Sequence, residues 1–360
     1  MVQSISSESR HSALLAERLV RYRDLRPCTT AFIDTRTPGS TEKENFTIIG
    51  PGVAESPDQF VHIDIPHGFN VGGARQPPGC INSQHSHETA EVFIVHSGQW
   101  TFYTGVDCGD GEVTVGPGDT ISIPIHVFRG FRNVGDDVGY MFAILGGDDP
   151  GMVTWAPYVF DQAREHGLIL LEDGSLVDTA RGERIPEGKR AMRPTSEADV
   201  ARLDRLTTDA LIDCIVRRHE LLQEPGEGSE PVRELPIISS ADGADGLGAG
   251  KINWPHGFHL HLFTALPGTE TVPHFRREEE VILMHRGRLD VLLADGAVRL
   301  GPGDVLTIPI GMQRSFGNFG PERVEAYIVR GGDDPQPPVR AIPSPAHLAA
   351  GDGNLTNAAG

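Results

Sequence analysis

The run Gly79-Cys-Ile-Asn-Ser-Gln-His85-Ser-His87-Glu-Thr-Ala-Glu91-Val-Phe-Ile-Val-His-Ser-Gly98 sets two imidazoles and a carboxylate ahead of an unbroken apolar segment. The intervals from 85 to 87 and from 87 to 91 are even. In an extended strand, where side chains alternate faces, all three would project to one side. Two neutral nitrogens and one anionic oxygen suit a borderline divalent ion and leave coordination positions open for a substrate or dioxygen. Val92, Phe93, Ile94 and Val95 carry this strand into a core, which argues against three polar groups on a solvated face. His96 is out of phase with Glu91 and is expected to face away from the others.

Working outward, Pro66-His67-Gly68-Phe69 recurs as Pro255-His256-Gly257-Phe258, and at the same displacement His85 falls opposite His274 and Gly98 opposite Gly287. After an offset of four residues, Gly118, Pro124, Phe131 and Asn133 fall opposite Gly303, Pro309, Phe316 and Asn318. The offset belongs in a hairpin, where Asp107-Cys-Gly-Asp-Gly111 in copy one is matched by a tight Asp295-Gly296 turn in copy two. Both copies close on Gly-Gly-Asp-Asp-Pro, at Gly146 and at Gly331. A period this long is a duplicated domain. Within each copy, short apolar strands alternate with Gly, Pro and Asp turns, as in Glu112 to Asp119 followed by Thr120 to Pro124, the pattern of an all-β sandwich or barrel.

Composition agrees. The chain has 360 residues, enough for two cores, with 43 Gly and 27 Pro to supply turns. Its 50 acidic against 31 basic residues give a net charge of -19, which would repel nucleic acid and anionic membranes. No apolar run approaches a membrane span, and residues 1–10 lack the apolar core of a secretory signal, so a cytoplasmic location is expected. Cys28, Cys80, Cys108 and Cys214 show no paired spacing and are expected to be reduced thiols.

Helical patterns fall outside the copies: 12–23, 197–206 with Ser196 and Asp199 as a cap, and 209–222 with Thr207 as a cap. The expected organisation is an N-terminal helix and extension (1–55), a first metal-binding β domain (56–150), a strand and helix connector (151–235), a second β domain (236–340) and a flexible tail (341–360).

These residues resemble the cupin motifs, and the chain is identified as a bicupin. Gly79, His85, His87, Glu91 and Gly98 match the first motif, a glycine, five residues, His-x-His, three or four residues, Glu, six residues and a glycine. Gly118, Pro124 and Asn133 match the frame of the second, but His126 stands where a glycine belongs and Arg129 where the fourth metal ligand, a histidine, belongs. The resemblance implies two conical jelly-roll barrels with the metal inside the mouth of the first. The expected ligands are His85, His87 and Glu91, with His126 as a candidate fourth. Fe(II) is the first expectation for the ion, and Mn, Ni, Co or Zn are compatible. Arg129 either orients an anionic substrate beside the metal or forms an ion pair inside the barrel. Burying two imidazoles and a carboxylate without an ion would be costly, which favours a metal.

In copy two the corresponding residues are His274, Arg276, Glu280 and Arg314. Guanidinium cannot ligate a cation, so this barrel is expected to be metal-free, with Arg276 and Glu280 as an internal ion pair. Arginine at the same position of both copies favours a shared packing role for Arg129 and Arg314. His67 and His256 are read as turn residues, and His259 and His261 as polar lining. Phe93, Val95, Trp100 and Phe102 are read as barrel core with some share in a substrate cavity.

For function the resemblance implies first a dioxygenase acting on an aromatic, enolic or other oxygenated small molecule, with Glu91 and Arg129 as the catalytic candidates. Gentisate-type enzymes use histidine as third ligand and so fit less well, whereas quercetinase-like enzymes retain the glutamate, which can act as a base. The alternatives are a decarboxylase or isomerase of a small carboxylate or sugar-like substrate, or a non-catalytic ligand-binding bicupin. A homodimer or higher oligomer is expected from the resemblance.

Overall fold

The structure is a computed structural model that describes residues 10–223, 230–240 and 245–340, so the expected tail at 341–360 lies outside the described residues. Two sheets make up the first barrel. A seven-stranded sheet runs in the order Ile215–Val216, Thr120–Ile123, Glu91–Ser97, Gly139–Gly146, Phe69–Gln76, Glu44–Ile49 and Val61–Ile63. A five-stranded sheet runs Thr154–Trp155, Ile81–Ser86, Arg129–Asn133, Trp100–Thr104 and Gly111–Val115. The second barrel repeats this plan with a six-stranded sheet (Leu19–Val20, Val305–Ile308, Glu280–Arg286, Val324–Gly331, Phe258–Ala265, Val232–Ile238) and a four-stranded one (Thr269–Glu270, Ser315–Asn318, Leu289–Leu293, Gly296–Leu300).

The continuous apolar run 92–95 has a structural reason. Phe93 and Val95 point into the first barrel with Phe102, Trp100 and Phe131, while Val92 and Ile94 point outward into a core shared with Leu260, Leu262, Val281 and Leu283 of the second barrel. The two large sheets therefore pack back to back, and a strand buried on both faces loses the polar alternation of a half-exposed one. His96 lies on this shared side, its ring 5.5 Å from that of its counterpart His285.

The repeat also extends beyond the barrels. Leu19 and Val20, ahead of barrel one, pair with Leu306 and Val305 of barrel two; Ile215 and Val216, ahead of barrel two, pair with Ile121 and Thr120 of barrel one. The anchors correspond as well. Asp304 accepts from Arg21 Nη1 at 2.7 Å and from the Tyr22 amide at 3.0 Å, and Asp119 accepts from Arg217 Nη1 at 2.7 Å and from the Arg218 amide at 3.0 Å. Leu15-Ala-Glu-Arg-Leu-Val-Arg21 and Leu211-Ile-Asp-Cys-Ile-Val-Arg217 are thus two copies of one arm, each sealing the edge of the other copy's barrel.

These arms correct the expected helices. The helix expected over 12–23 is Arg10–Ala16, because the chain after it becomes a strand; the one expected over 209–222 is broken into Thr208–Asp213 and Arg218–Leu222 by Ile215–Val216. The helix expected over 197–206 closes as Glu197–Val200 with the Ser196 and Asp199 capping box in place, and Thr207 caps the next. Glu44–Ile49 and Val232–Ile238 belong to the large sheets, so strand pairing begins before the expected starts of both β domains. The His67 and His256 rings each bond a carbonyl of their own turn, and Asp148 and Asp333 of the Gly-Gly-Asp-Asp-Pro segments accept from the amides there.

Candidate metal centre

His85 lies one residue before the end of the strand Ile81–Ser86 of the small sheet, whereas Glu91 begins Glu91–Ser97 of the large sheet. The single straight strand expected from the spacing is therefore replaced by a crossing between sheets through residues 87–90. Convergence survives because the two sheets face each other. His87 Nε2 lies 3.5 Å and His85 Nε2 3.9 Å from Glu91 Oε2, and the three donor atoms lie within 4.8 Å of one another. Ligand atoms about 2.0–2.2 Å from a common ion stand about 3–4 Å apart, so the spacing fits a single ion. It is the one such group found among the described residues.

The donors are prepared for an ion. Burial, reinforced by Arg129, holds both histidines well below their ordinary pKa, so the imidazoles are neutral. His85 Nδ1 donates to the Ser83 carbonyl at 2.7 Å, which leaves the Nε2 lone pair directed at the centre. Behind it lies a buried network. Lys43 pairs with Asp34 and donates to Asn82 Oδ1 at 3.0 Å, Asp34 Oδ2 accepts from the Ser83 amide at 3.0 Å, and the Asn82 amide nitrogen lies 3.5 Å from His85. Trp155 pairs with His85 across the strand edge, lies 5.2 Å from its ring, and donates to Glu55 Oε1 at 2.6 Å.

Arg129 is fully buried. Its Nη2 and Nε donate to Glu91 Oε2 at 2.9 and 3.2 Å, and Nη1 donates to the Val127 carbonyl at 3.3 Å. Burial raises the Glu91 pKa while Arg129 opposes the rise. The copy-two residue repeats this arrangement: Arg314 donates to the Met312 carbonyl at 3.2 Å and pairs with Glu280. The shared role is an ion pair inside each barrel, and Arg129 is not among the residues that line the cavity beside the metal centre.

The structure does not place His126 with the three donors. Its side chain is exposed and its φ is 60°, the left-handed region, while the aligned Gly311 has φ 77°. Position 126 keeps the turn that a glycine would make, and the turn aims the imidazole outward.

A cavity of about 80 Å³ adjoins the donors. Phe32, Phe93, Phe131, Leu145 and Trp155 form much of its wall, with Asn70 and Asn82 as polar points. Of the apolar residues considered from sequence, Phe93 lines it, whereas Val95, Trp100 and Phe102 are barrel core. Phe32, Trp155 and the Lys43 network carried no periodic signal; only their approach in space marks them.

In the second barrel, Glu280 accepts from Arg330 Nε at 2.8 Å as well as from Arg314, and the expected ion pair with Arg276 is present as the longest of the three, at 4.0 Å. Burial pushes the Glu280 pKa up, but Arg314, Arg330 and Arg276 overcome it and hold it at about 2. Position 330 corresponds to Leu145 of the first barrel, so this second guanidinium is peculiar to copy two.

The cupin-domain family model matches residues 74–145 and 261–330, and the chain is a bicupin, two cupin domains in tandem. Solved structures with this arrangement include the Lactobacillus farciminis oxalate decarboxylase formate complex, at 12% identity over 94% of each chain with a TM-score of 0.52. A deletion mutant of Bacillus subtilis oxalate decarboxylase is similar at 16% identity, over 93% of this chain and 84% of that one, with a TM-score of 0.54. Another structure of the Bacillus enzyme, described for its Mn(II) centres, has a TM-score of 0.50 at 14% identity. These likenesses are likenesses of fold. No curated protein matches the chain. Among the described residues, no helix is long and apolar enough to cross a membrane.

Proposed function

We propose that the first barrel is a metal-dependent decarboxylase of a small carboxylate. The observation that carries this reading is the Glu91–Arg129 pair: because Arg129 neutralises Glu91, the protein offers a divalent ion no net negative charge. In a buried site that deficit favours an anionic substrate. His85, His87 and Glu91 would hold the ion, which when bound supplies a Lewis acid for an oxygen of the substrate. The electron pair of the breaking C–C bond needs an acceptor, so the substrate should carry a carbonyl β to its carboxylate. Phe93, Phe131 and Leu145 exclude water from that carboxylate and favour the neutral carbon dioxide that leaves. A second carboxylate would meet no cationic side chain on the cavity wall, which argues for a 3-oxo monocarboxylate over oxalate. The fold shared with oxalate decarboxylases supports decarboxylation over the oxygenation first expected. The donor set does not select iron over manganese, and the Mn(II) centres of a structural neighbour make manganese the first ion to test.

The test is carbon dioxide release from 3-oxobutanoate and oxalate by Mn(II)-loaded protein, with and without oxygen. Release from the 3-oxo acid without oxygen uptake is expected. Turnover that consumes oxygen and liberates no carbon dioxide would instead favour the dioxygenase reading, to which a donor set of only three residues and the apolar cavity also lend support.

A further inference from the structure

We propose that the second barrel binds an amphipathic organic carboxylate, with Arg276 as its anchor. A cavity of about 710 Å³ opens there, within the range of small-molecule sites and far larger than that of the first barrel. Phe263, Phe316 and Val272 form an apolar side, and on the rest of the wall Arg233, Arg276 and Arg340 outnumber Glu230 and Glu234.

Arg276 occupies the position that His87 holds in copy one, and it is 3% exposed. Its Nη1 donates to the Gln336 carbonyl at 2.6 Å, but its Nε has no hydrogen-bond partner among the described residues. No carboxylate hydrogen-bonds Arg276, although it lies in ion-pair range of Glu280 Oε2, 4.0 Å from its Nε, and of Glu234, with Glu278 also near. Glu280 accepts from Arg314 and Arg330, and Glu234 Oε1 from Arg330 and from His261 at 2.9 Å; Arg276 Nη2 reaches Glu234 Oε2 only at 3.5 Å. A buried guanidinium without a bidentate partner, on the wall of a half-apolar cavity, suits a carboxylate attached to an apolar body. Replacing an imidazole ligand by guanidinium has turned a cation site toward anions. The difference in cavity size separates this ligand from the substrate of the first barrel.

Calorimetric titration of the full metal-free chain with benzoate, 2-naphthoate and decanoate tests the assignment, with 2-naphthamide as the neutral control. Saturable binding of at least one acid is expected, and at least tenfold weaker binding of the amide. Arg276→Gln should weaken acid binding at least tenfold, and Val272→Trp, at an exposed rim position, should weaken it by narrowing the cavity. His87→Ala should leave it unchanged. If Arg276→Gln fails to fold, Val272→Trp decides. The proposal is overturned if none of the acids saturates, if amide and acid bind equally, if the folded variants bind like wild type, or if His87→Ala abolishes binding and so places the ligand in the first barrel.

Discussion

Replacing Arg129 by Met removes the buried cation that compensates Glu91 and leaves a side chain of similar length in its place. Both groups are almost completely buried, so the loss leaves Glu91 in low dielectric with two neutral histidines as its nearest polar neighbours. Removing one member of a buried pair costs about 3–5 kcal/mol. Because the two barrels share a core and exchange arms they unfold as one unit, for which that corresponds to a fall in melting temperature of about 4–7 °C. A bound divalent ion restores positive charge beside Glu91, so the loss should be large in chelator-treated protein and mostly reversed by Mn(II). Affinity should also rise, because a fixed cation beside the metal centre has gone. Thermal unfolding with and without Mn(II), together with calorimetric titration of the ion, measures both effects. If Arg129→Met bound Mn(II) more weakly than wild type, or melted at the same temperature with and without it, the view of Arg129 as the charge partner of the metal's carboxylate would be wrong.

His87→Ala should strip the metal while the protein stays folded, as elemental analysis and thermal unfolding would show; a full equivalent of retained metal rules out the ligand set. His126→Gly should keep the metal and gain about 1 kcal/mol from relief of the left-handed backbone, measured by denaturant titration. Asp119→Ala and Asp304→Ala each remove the acceptor of an arm and should cost similar amounts, about 1–3 kcal/mol, and strongly unequal losses would count against equivalent arms. Glu55 is raised by burial to about 8, against the opposing bonds from Trp155 and Ile33, so its protonated form favours the fold. That contribution is complete below the unfolded carboxyl pKa and is lost as pH rises toward 8. Glu55→Gln should therefore flatten the stability decline between pH 5 and 8, by up to about 1.4 kcal/mol per pH unit, and an unchanged slope would refute the assignment.

The parts visible in the sequence were those with local grammar. His85, His87 and Glu91 stand within one short run, and the duplication repeats whole turns such as Pro66 to Phe69, so both could be read without knowing any distant contact. The face-to-face arrangement of the ligands is not legible in the sequence, because parity alone does not reveal the crossing at 87–90. The partner of Arg129 is not legible either, because position 129 offers equally a route to substrate and a route to Glu91; only its burial and the matching bonds of Arg314 decide. The arms were read as helices because Leu15 to Arg21 and Leu211 to Arg217 carry helix-forming composition, and their two-residue strands exist only where a barrel edge receives them. Glu55, Phe32 and Trp155 belong to chain segments folded over the mouth, beyond the reach of periodicity.

The exchanged arms bear on how such a chain could have arisen. A single-copy ancestor with this arm geometry would have closed its barrel edge with the arm of a neighbouring molecule, as a domain-swapped pair. Joining two such copies in one chain fixes the partners at high effective concentration and removes any dependence on dilution. It also frees the copies to diverge, since only the surfaces they present to each other must stay matched. One barrel could then keep its histidines while the other filled with arginine, with the pairing that both inherited intact.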